Sequence, residues 1–140
     1  MPWGEIMVSR VEQTLICQAT FSANLPANSI VPVSFIIDPQ KGAEAVLTPA
    51  MNESIVIDDI YVTTSPTVDC IVQLIKNEYE TICMTDPLST LNVTNPARPR
   101  YAKKVINPLE RLSAKAINLA AVGASAVTVT FYMKIVRFRP

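Results

Sequence analysis

The chain lacks histidine altogether and contains only three glycines and three cysteines among its 140 residues. Without imidazole, every mechanism that uses histidine as a base, a proton shuttle or a metal ligand is excluded. Charged side chains are also scarce, at 17%, and twelve basic and twelve acidic residues leave no net charge. A chain without excess positive charge does not attract nucleic acid as a whole. We therefore expect no nucleic-acid partner and no enzymatic activity.

The cysteines and the acidic residues do not form a recognisable site. Cys17, Cys70 and Cys83 contain no CxxC pair, and their odd number argues against a disulfide framework. We expect free thiols. The alternative is a cross-strand disulfide between Cys70 and Cys83, which face each other or lie diagonally if their hairpin has a two-residue loop. Asp58 and Asp59 have no calcium-loop pattern around them, and adjacent strand residues point to opposite faces. We expect no metal and no cofactor.

No segment has the pattern of a targeting or membrane sequence. Met1–Glu5 has no basic start, and no long apolar run follows, so we expect no signal peptide. The uncharged segment Ala116–Met133 is long enough for a spanning helix, but polar residues interrupt it and its second half alternates. We expect no membrane partner and folding in the cytoplasm.

Apolar and polar residues alternate with the period of two that is typical of β-strands, and β-branched residues are abundant. The alternation is clearest over residues 127–135. In residues 55–62 it stays in phase only if a β-bulge lies at Asp58-Asp59, and a tight turn at residues 76–78 predicts a hairpin. No convincing amphipathic helix is present. The sequence predicts one all-β domain, an antiparallel, jelly-roll-like β-sandwich of about eight or nine strands.

Charge is divided unevenly along the chain. Residues 1–97 carry eleven acidic and three basic side chains, whereas residues 98–140 carry nine basic and one acidic. The basic residues form two clusters, one around Tyr101 and one around Phe138. Three interpretations remain open: neutralisation within the chain or between subunits, docking on an acidic protein, or binding of nucleic acid or lipid.

We expect a homo-oligomer, most simply a trimer, whose contacts involve both ends of the chain. Residues 1–11 are predicted to form an N-terminal arm that reaches a neighbouring subunit, and residues 12–140 to form the single domain. Apolar strands with little net charge favour association. The predicted interface residues are Trp3, Ile6, Arg98, Arg100, Tyr101, Lys103, Lys104, Arg137, Phe138 and Arg139.

Two stretches resemble small β-sandwich virion proteins, namely the capsid decoration and minor capsid subunits of tailed phages and archaeal viruses. These stretches are residues 52–62 and an ending formed by residues 116–121 and 127–132. A more general likeness of sequence pattern covers residues 50–136. The resemblance implies a jelly-roll fold, oligomers on a capsid shell beside a major capsid protein, location in the virion, and no catalysis. Low charge and scarce glycine are also consistent with a hot environment, and so with a thermophilic virus.

Two other classes of function remain as alternatives. One is a β-sandwich binding module for a carbohydrate or a receptor, and the other is a subunit of a cell-surface filament. The scarcity of aromatic side chains, 6% of the chain, weighs against a sugar site.

Overall fold

Nine antiparallel β-strands make up most of the described chain, which covers residues 9–38, 40, 42–91 and 104–139 of a computed structural model. One short 3-10 helix, Leu88–Thr90, is present, and the described residues contain no α-helix. The prediction of an antiparallel all-β fold with about eight or nine strands is confirmed. The strands are β1 Ser9–Phe21, β2 Ile30–Asp38, β3 Gly42–Glu44, β4 Ser54–Tyr61, β5 Cys70–Lys76, β6 Glu80–Met84, β7 Lys104–Ile106, β8 Leu112–Asn118 and β9 Val127–Arg139.

The strands form one nearly closed, barrel-like sheet rather than an evident pair of separate sheets. Its order is β6-β5-β8-β2-β1-β9-β4-β7, and β3 pairs with β2 beside this path. Strand β2 connects the two halves, because Ile30–Pro32 pair with β8 while Val33–Ile36 pair with β1. Residues from both halves share one buried cluster. The finer prediction of a sandwich or jelly roll therefore stays a prediction.

Strands β1 and β9, thirteen residues each, pair along their whole length, with Ser9 opposite Arg139. The residues Ser9–Val11, at the end of the expected arm, consequently belong to β1 and pair within the chain. The rest of that arm, with Trp3 and Ile6, falls outside the described residues. The two ends of the described chain are thus neighbouring strands of one sheet.

The core follows the predicted alternation, including its interruption in β4. Ile57 and Ile60 are both buried, although three positions separate them. The pairing of β4 with β9 shifts register between Ile57 and Asp59, which confirms the predicted bulge at Asp58-Asp59. The largest fully buried side chains include Leu15, Phe21, Phe35, Leu47, Ile55, Leu74, Leu88, Leu112 and Phe131.

Strands β5 and β6 form the predicted hairpin, but its register separates the two cysteines. Lys76 pairs with Glu80 around a three-residue turn, and a further shift between Leu74 and Ile75 places Cys83 opposite Leu74. Cys70 is instead opposite Asn118 of β8, and both thiols are free. The expectation that Cys70 and Cys83 face each other or lie diagonally is wrong, because it assumed a two-residue loop and an unbroken register.

Candidate functional site

Two arginines at the end of β9 enclose the buried carboxylate of Glu53. Arg137 Nη1 lies 2.7 Å from Oε1 of Glu53, and Arg139 Nε lies 3.0 Å from Oε2. Arg137 Nε also donates a hydrogen bond to Oε1 of Gln13, at 3.0 Å. Glu53 is only 2% exposed. Both carboxylate oxygens therefore have charge-assisted hydrogen bonds, which are the stronger kind.

The strand pattern explains why these charges lie together. Arg137 and Arg139 continue the face of β9 that carries the buried Met133 and Ile135. Glu53 precedes β4, which pairs with β9 from its first residue. The three charged side chains thus lie at one end of the sheet's interior, where the apolar core stops.

The arginines also determine the ionisation of Glu53. Burial alone would raise the pKa of this carboxyl group, but the hydrogen bonds from Arg137 and Arg139 and the charge of Arg137 hold it below its usual 4.5. The carboxylate is therefore ionised at neutral pH. For this basic cluster, neutralisation within the chain is the interpretation that the geometry favours.

A shallow depression of about 280 Å³ lies over this cluster. Its lining combines two arginines and a buried acid with a half-exposed apolar side chain. Because Glu53 already uses its oxygens, the accessible chemistry belongs mainly to Arg139, whose side chain is 54% exposed. The lining residues are Ser9, Val11, Glu53, Arg137 and Arg139.

The remaining predicted interface residues do not gather around this cluster within the described chain. Phe138 points away from it, on the opposite face of β9, and is half-buried. Lys104 lies in β7 opposite Ile57. Burial raises the pKa of Cys83, and the charge of Lys104 offsets only part of that rise. Trp3, Ile6, Arg98, Arg100, Tyr101 and Lys103 are outside the described residues.

A second surface, which the sequence analysis did not single out, is the side of β2, β1, β9 and β4 that faces away from the core. We call it the outer face. Ile16 lies opposite both Ile36 and Tyr132, and Tyr132 lies opposite Tyr61. The tyrosine rings stack, with centroids 5.5 Å apart and planes inclined by 20°. Side chains that lie opposite one another on neighbouring strands form rows across the outer face. Three of these rows are Thr14, Lys134 and Asp59; Ile36, Ile16, Tyr132 and Tyr61; and Ser34, Gln18 and Thr130.

The β-bulge places two acids beside a lysine on the outer face. Asp59 is the register partner of Lys134, and Lys134 Nζ lies 3.8 Å from Oδ2 of Asp58. Burial is the main reason that the pKa of Asp59 is raised; Asp58 adds to it, while the Ile60 N–H and Lys134 act in the opposite direction. The bulge thus brings an acidic pair to the one lysine in this row.

A third surface is formed by two neighbouring turns, which we call the turn tip. The N–H of Asn77 donates to the carbonyl oxygen of Arg111 at 2.8 Å, and the N–H of Arg111 donates to Oδ1 of Asn77 at 3.0 Å. Ion pairs of 2.8 Å between Lys76 and Glu110 and of 3.2 Å between Glu78 and Arg111 join the same turns. The turn tip is therefore connected by hydrogen bonds and by charge.

This tip presents large apolar side chains to solvent. Tyr79 is 85% exposed and Leu109 is 74% exposed. Leu109 also has a φ of 69°, a left-handed conformation that is uncommon for a branched side chain. Neither residue contributes to the core, so the stability of the fold does not explain their size.

The cysteines do not form a reactive centre. Burial raises the pKa of Cys17 to about 12, despite a backbone hydrogen bond that lowers it. Burial, assisted by the charge of Asp69, does the same for Cys70. A thiol with so high a pKa holds almost no thiolate at neutral pH, and the thiolate is the nucleophile.

Comparison with known proteins does not assign a function to these surfaces. No protein-family model matches the chain, and no curated protein matches its sequence. The described ranges contain no group of three metal-binding side chains. Within the same ranges, no helix has both the length and the apolar character needed to cross a membrane.

Proposed function

We propose that this chain is a structural virion protein, a capsid decoration or minor capsid subunit that associates with itself and attaches to a shell protein. The turn tip carries the proposal. Tyr79 and Leu109 are large, exposed and held on turns that are joined to each other. Large apolar side chains that the core does not use are typical of contact surfaces, and strained backbone is typical of functional ones.

The virion as the location rests on the resemblance of residues 52–62 and 116–132 to small virion proteins. The described fold agrees with a coat subunit in its coarse features, since it is all-β and antiparallel. We further propose that the two halves joined by β2 pack as a jelly-roll-like sandwich, which the shared buried cluster supports. The trimer, the major capsid protein as partner and an N-terminal arm are part of the same proposal. The arm no longer includes Ser9–Val11, because these residues pair with β9 within the chain.

Particles from the source culture provide the direct test. We expect peptides of this chain in density-purified particles at a fixed ratio to the shell protein. Absence of the chain from those particles would overturn the proposal.

The turn tip can be tested on the same particles. Shells stripped of the chain should rebind wild-type protein and fail to rebind the double variant Tyr79→Ser, Leu109→Asn. The matched control is Met51→Ser, which removes a side chain that is 83% exposed elsewhere on the surface. If the double variant rebinds as well as the control, the turn tip is not the attachment surface.

A carbohydrate-binding module is the second candidate, and the stacked pair of Tyr61 and Tyr132 favours it. Aromatic rings on a sheet surface can stack on the apolar face of a sugar ring. Binding of the purified chain to a glycan array, lost in the variant Tyr132→Ala, would support this function. A filament subunit has no specific observation in its favour.

A further inference from the structure

We propose that the segment before β1 docks on an apolar patch of a neighbouring copy of this chain. The segment is residues 1–8, outside the described residues, and we call it the arm. The patch lies on the solvent side of β5, β8 and β2. The inference rests on the proposed self-association and names the surface that receives the arm, and its experiment can fail while the virion proposal stands.

The strand registers place three isoleucines side by side in one row. Ile117 of β8 lies opposite both Ile71 of β5 and Ile30 of β2. This row faces solvent, because Ala116 and Asn118, on either side of Ile117, are buried. The next row towards the turn tip places Lys115 opposite Pro32. The isoleucine patch consists of Ile30, Pro32, Ile71, Lys115, Ile117 and Leu119.

The isoleucine patch is apolar where a sheet in contact with solvent is ordinarily polar. Ile30 is 61% exposed and Leu119 is 41% exposed. Lys115 is the one charged member of the patch, and it is exposed. Within the described part of the chain it has no ion pair. The patch therefore suits an apolar partner that carries one negative charge.

The arm has this chemistry. Trp3, Ile6 and Val8 are apolar, and Glu5 is its one charged side chain. Tryptophan is enriched among the residues that contribute most to binding, because it buries a large apolar area. Glu5 is opposite in sign to Lys115. The arm and the isoleucine patch are thus complementary in both polarity and charge.

The size of the patch also favours a short segment. Strands β5, β8 and β2 lie side by side over two solvent-facing rows. Three strands about 4.8 Å apart, and two rows of two residues that rise about 3.3 Å each, give a footprint of about 200 Å². A standard interface buries about 800 Å² per partner. The isoleucine patch alone is therefore too small for a contact between two whole sheets.

The distance that the arm can span requires it to come from another copy. The register of β1 with β2 places Pro32, in the patch row nearest to the arm, level with Thr20. Ser9 and Thr20 are eleven residues apart on β1, which corresponds to about 36 Å along the strand. Trp3 precedes Ser9 by six residues, and six extended residues reach at most about 22 Å. Trp3 therefore cannot reach the patch of its own copy.

The contact joins two different surfaces, the arm of one copy and the isoleucine patch of the next. Such a contact closes into a ring when the rotation between copies fits. Three copies in a ring form the proposed trimer, with every arm and every patch in use. The turn tip shares no residue with either surface, so it stays available for attachment to a shell.

Sedimentation velocity over about 1 to 100 micromolar, a range that covers ordinary affinities, measures the association. Wild-type protein should form trimers, and Trp3→Ser and Ile30→Glu should each raise the dissociation constant at least about tenfold. The matched control is Val105→Glu, which places the same charge at another exposed β-branched side chain, on β7. Circular dichroism should give the same β-spectrum for all four proteins.

A mixture of the two variants tests which surfaces meet. Trp3→Ser keeps an intact patch, and Ile30→Glu keeps an intact arm. At a concentration where each variant alone is monomeric, an equimolar mixture should form mixed dimers and nothing larger, because each pair retains one arm–patch contact.

A charge exchange tests the contact between Glu5 and Lys115. Glu5→Lys and Lys115→Glu should each weaken self-association, and the two changes in one chain should restore it.

The contact is disproved if the wild-type chain is a monomer over this range or if the mixture stays monomeric. Equal association of Ile30→Glu and Val105→Glu, or a charge exchange that restores nothing, would also disprove it. Detection of the chain in purified particles tests the virion proposal separately and does not depend on these results.

Discussion

Glu53 and Arg137 are 84 positions apart in the sequence, yet their side chains are 2.7 Å apart. The contact joins the start of β4 to the end of β9 at the point where the apolar core stops. It joins an acidic side chain of the acidic segment, residues 1–97, to a basic side chain of the basic segment, residues 98–140. Several measurable properties depend on it and on similar contacts.

Replacing Glu53 by Gln should destabilise the fold by about 3 kcal/mol. The substitution leaves the partly buried Arg137 without its counter-charge, and loss of one member of a buried pair costs about 3–5 kcal/mol. Urea unfolding followed by circular dichroism measures the change. The control is Glu78→Gln, whose ion pair with Arg111 is exposed and should contribute less than about 1 kcal/mol. Equal effects of the two substitutions would contradict the assigned role of Glu53.

The same carboxyl group should make stability depend on pH. Because the arginines hold the pKa of Glu53 below 4.5, its stabilising contribution is complete above that pH and is lost as the pH falls through the lower folded value. The difference in unfolding free energy between wild type and Glu53→Gln should therefore stay constant down to about pH 5 and shrink as the pH falls from about 4.5 through the lower folded value. A difference that stays constant below about pH 4.5 would contradict the prediction.

Removing the side chain of Asn118 should lower the free energy of unfolding strongly. Its fully buried amide accepts a hydrogen bond from the Ser29 N–H at 2.8 Å and donates to the carbonyl oxygens of Pro26 and Ala120 at 3.0 and 2.8 Å. Asn118→Ala removes these three hydrogen bonds from a fully buried position and should cost about 3 kcal/mol, since a typical hydrogen bond contributes about 0.5–1.5 kcal/mol. Thermal unfolding measures the change. The control is Asn52→Ala at an exposed position, and its free energy of unfolding should stay within about 0.5 kcal/mol of wild type.

The thiols should react in an order set by burial. Cys83 is half-buried and lies in the edge strand β6, whereas Cys17 and Cys70 are inaccessible and have raised pKa values of about 12. Iodoacetamide on the native chain at neutral pH should alkylate Cys83 first, and the other two only after denaturant is added. Peptide mapping by mass spectrometry measures the order. Early modification of Cys17 would mean that the sheet opens more readily than its packing indicates.

Local features of this fold could be predicted, and contacts between distant parts of the chain could not. The bulge at Asp58-Asp59 follows from the alternation of its own strand, and the hairpin after Lys76 follows from a short turn. The misplacement of Cys83 shows the limit. One extra turn residue and one register shift move a side chain along the partner strand, and neither leaves a mark in the alternation.

The candidate surfaces divide in the same way. The alternation already places Ile16 and Tyr132 opposite the core on their own strands. Their meeting in one row depends on the pairing of β1 with β9, which no local pattern indicates. The choice of Glu53 as the partner of two arginines likewise depends on the order of strands in the sheet, which is set by the packing of the whole chain.

The full-length pairing of β1 with β9 also determines how the molecule responds to tension. The strands are antiparallel and Ser9 lies opposite Arg139. The start of β1 and the end of β9, the two ends meant here, are therefore side by side, about 5 Å apart. A force that separates the ends loads the bonds between these strands one at a time, as in opening a zipper, so the bonds do not share the load. Linking the two ends by a short peptide would remove that weak point, and the ring could then be opened at an exposed turn elsewhere.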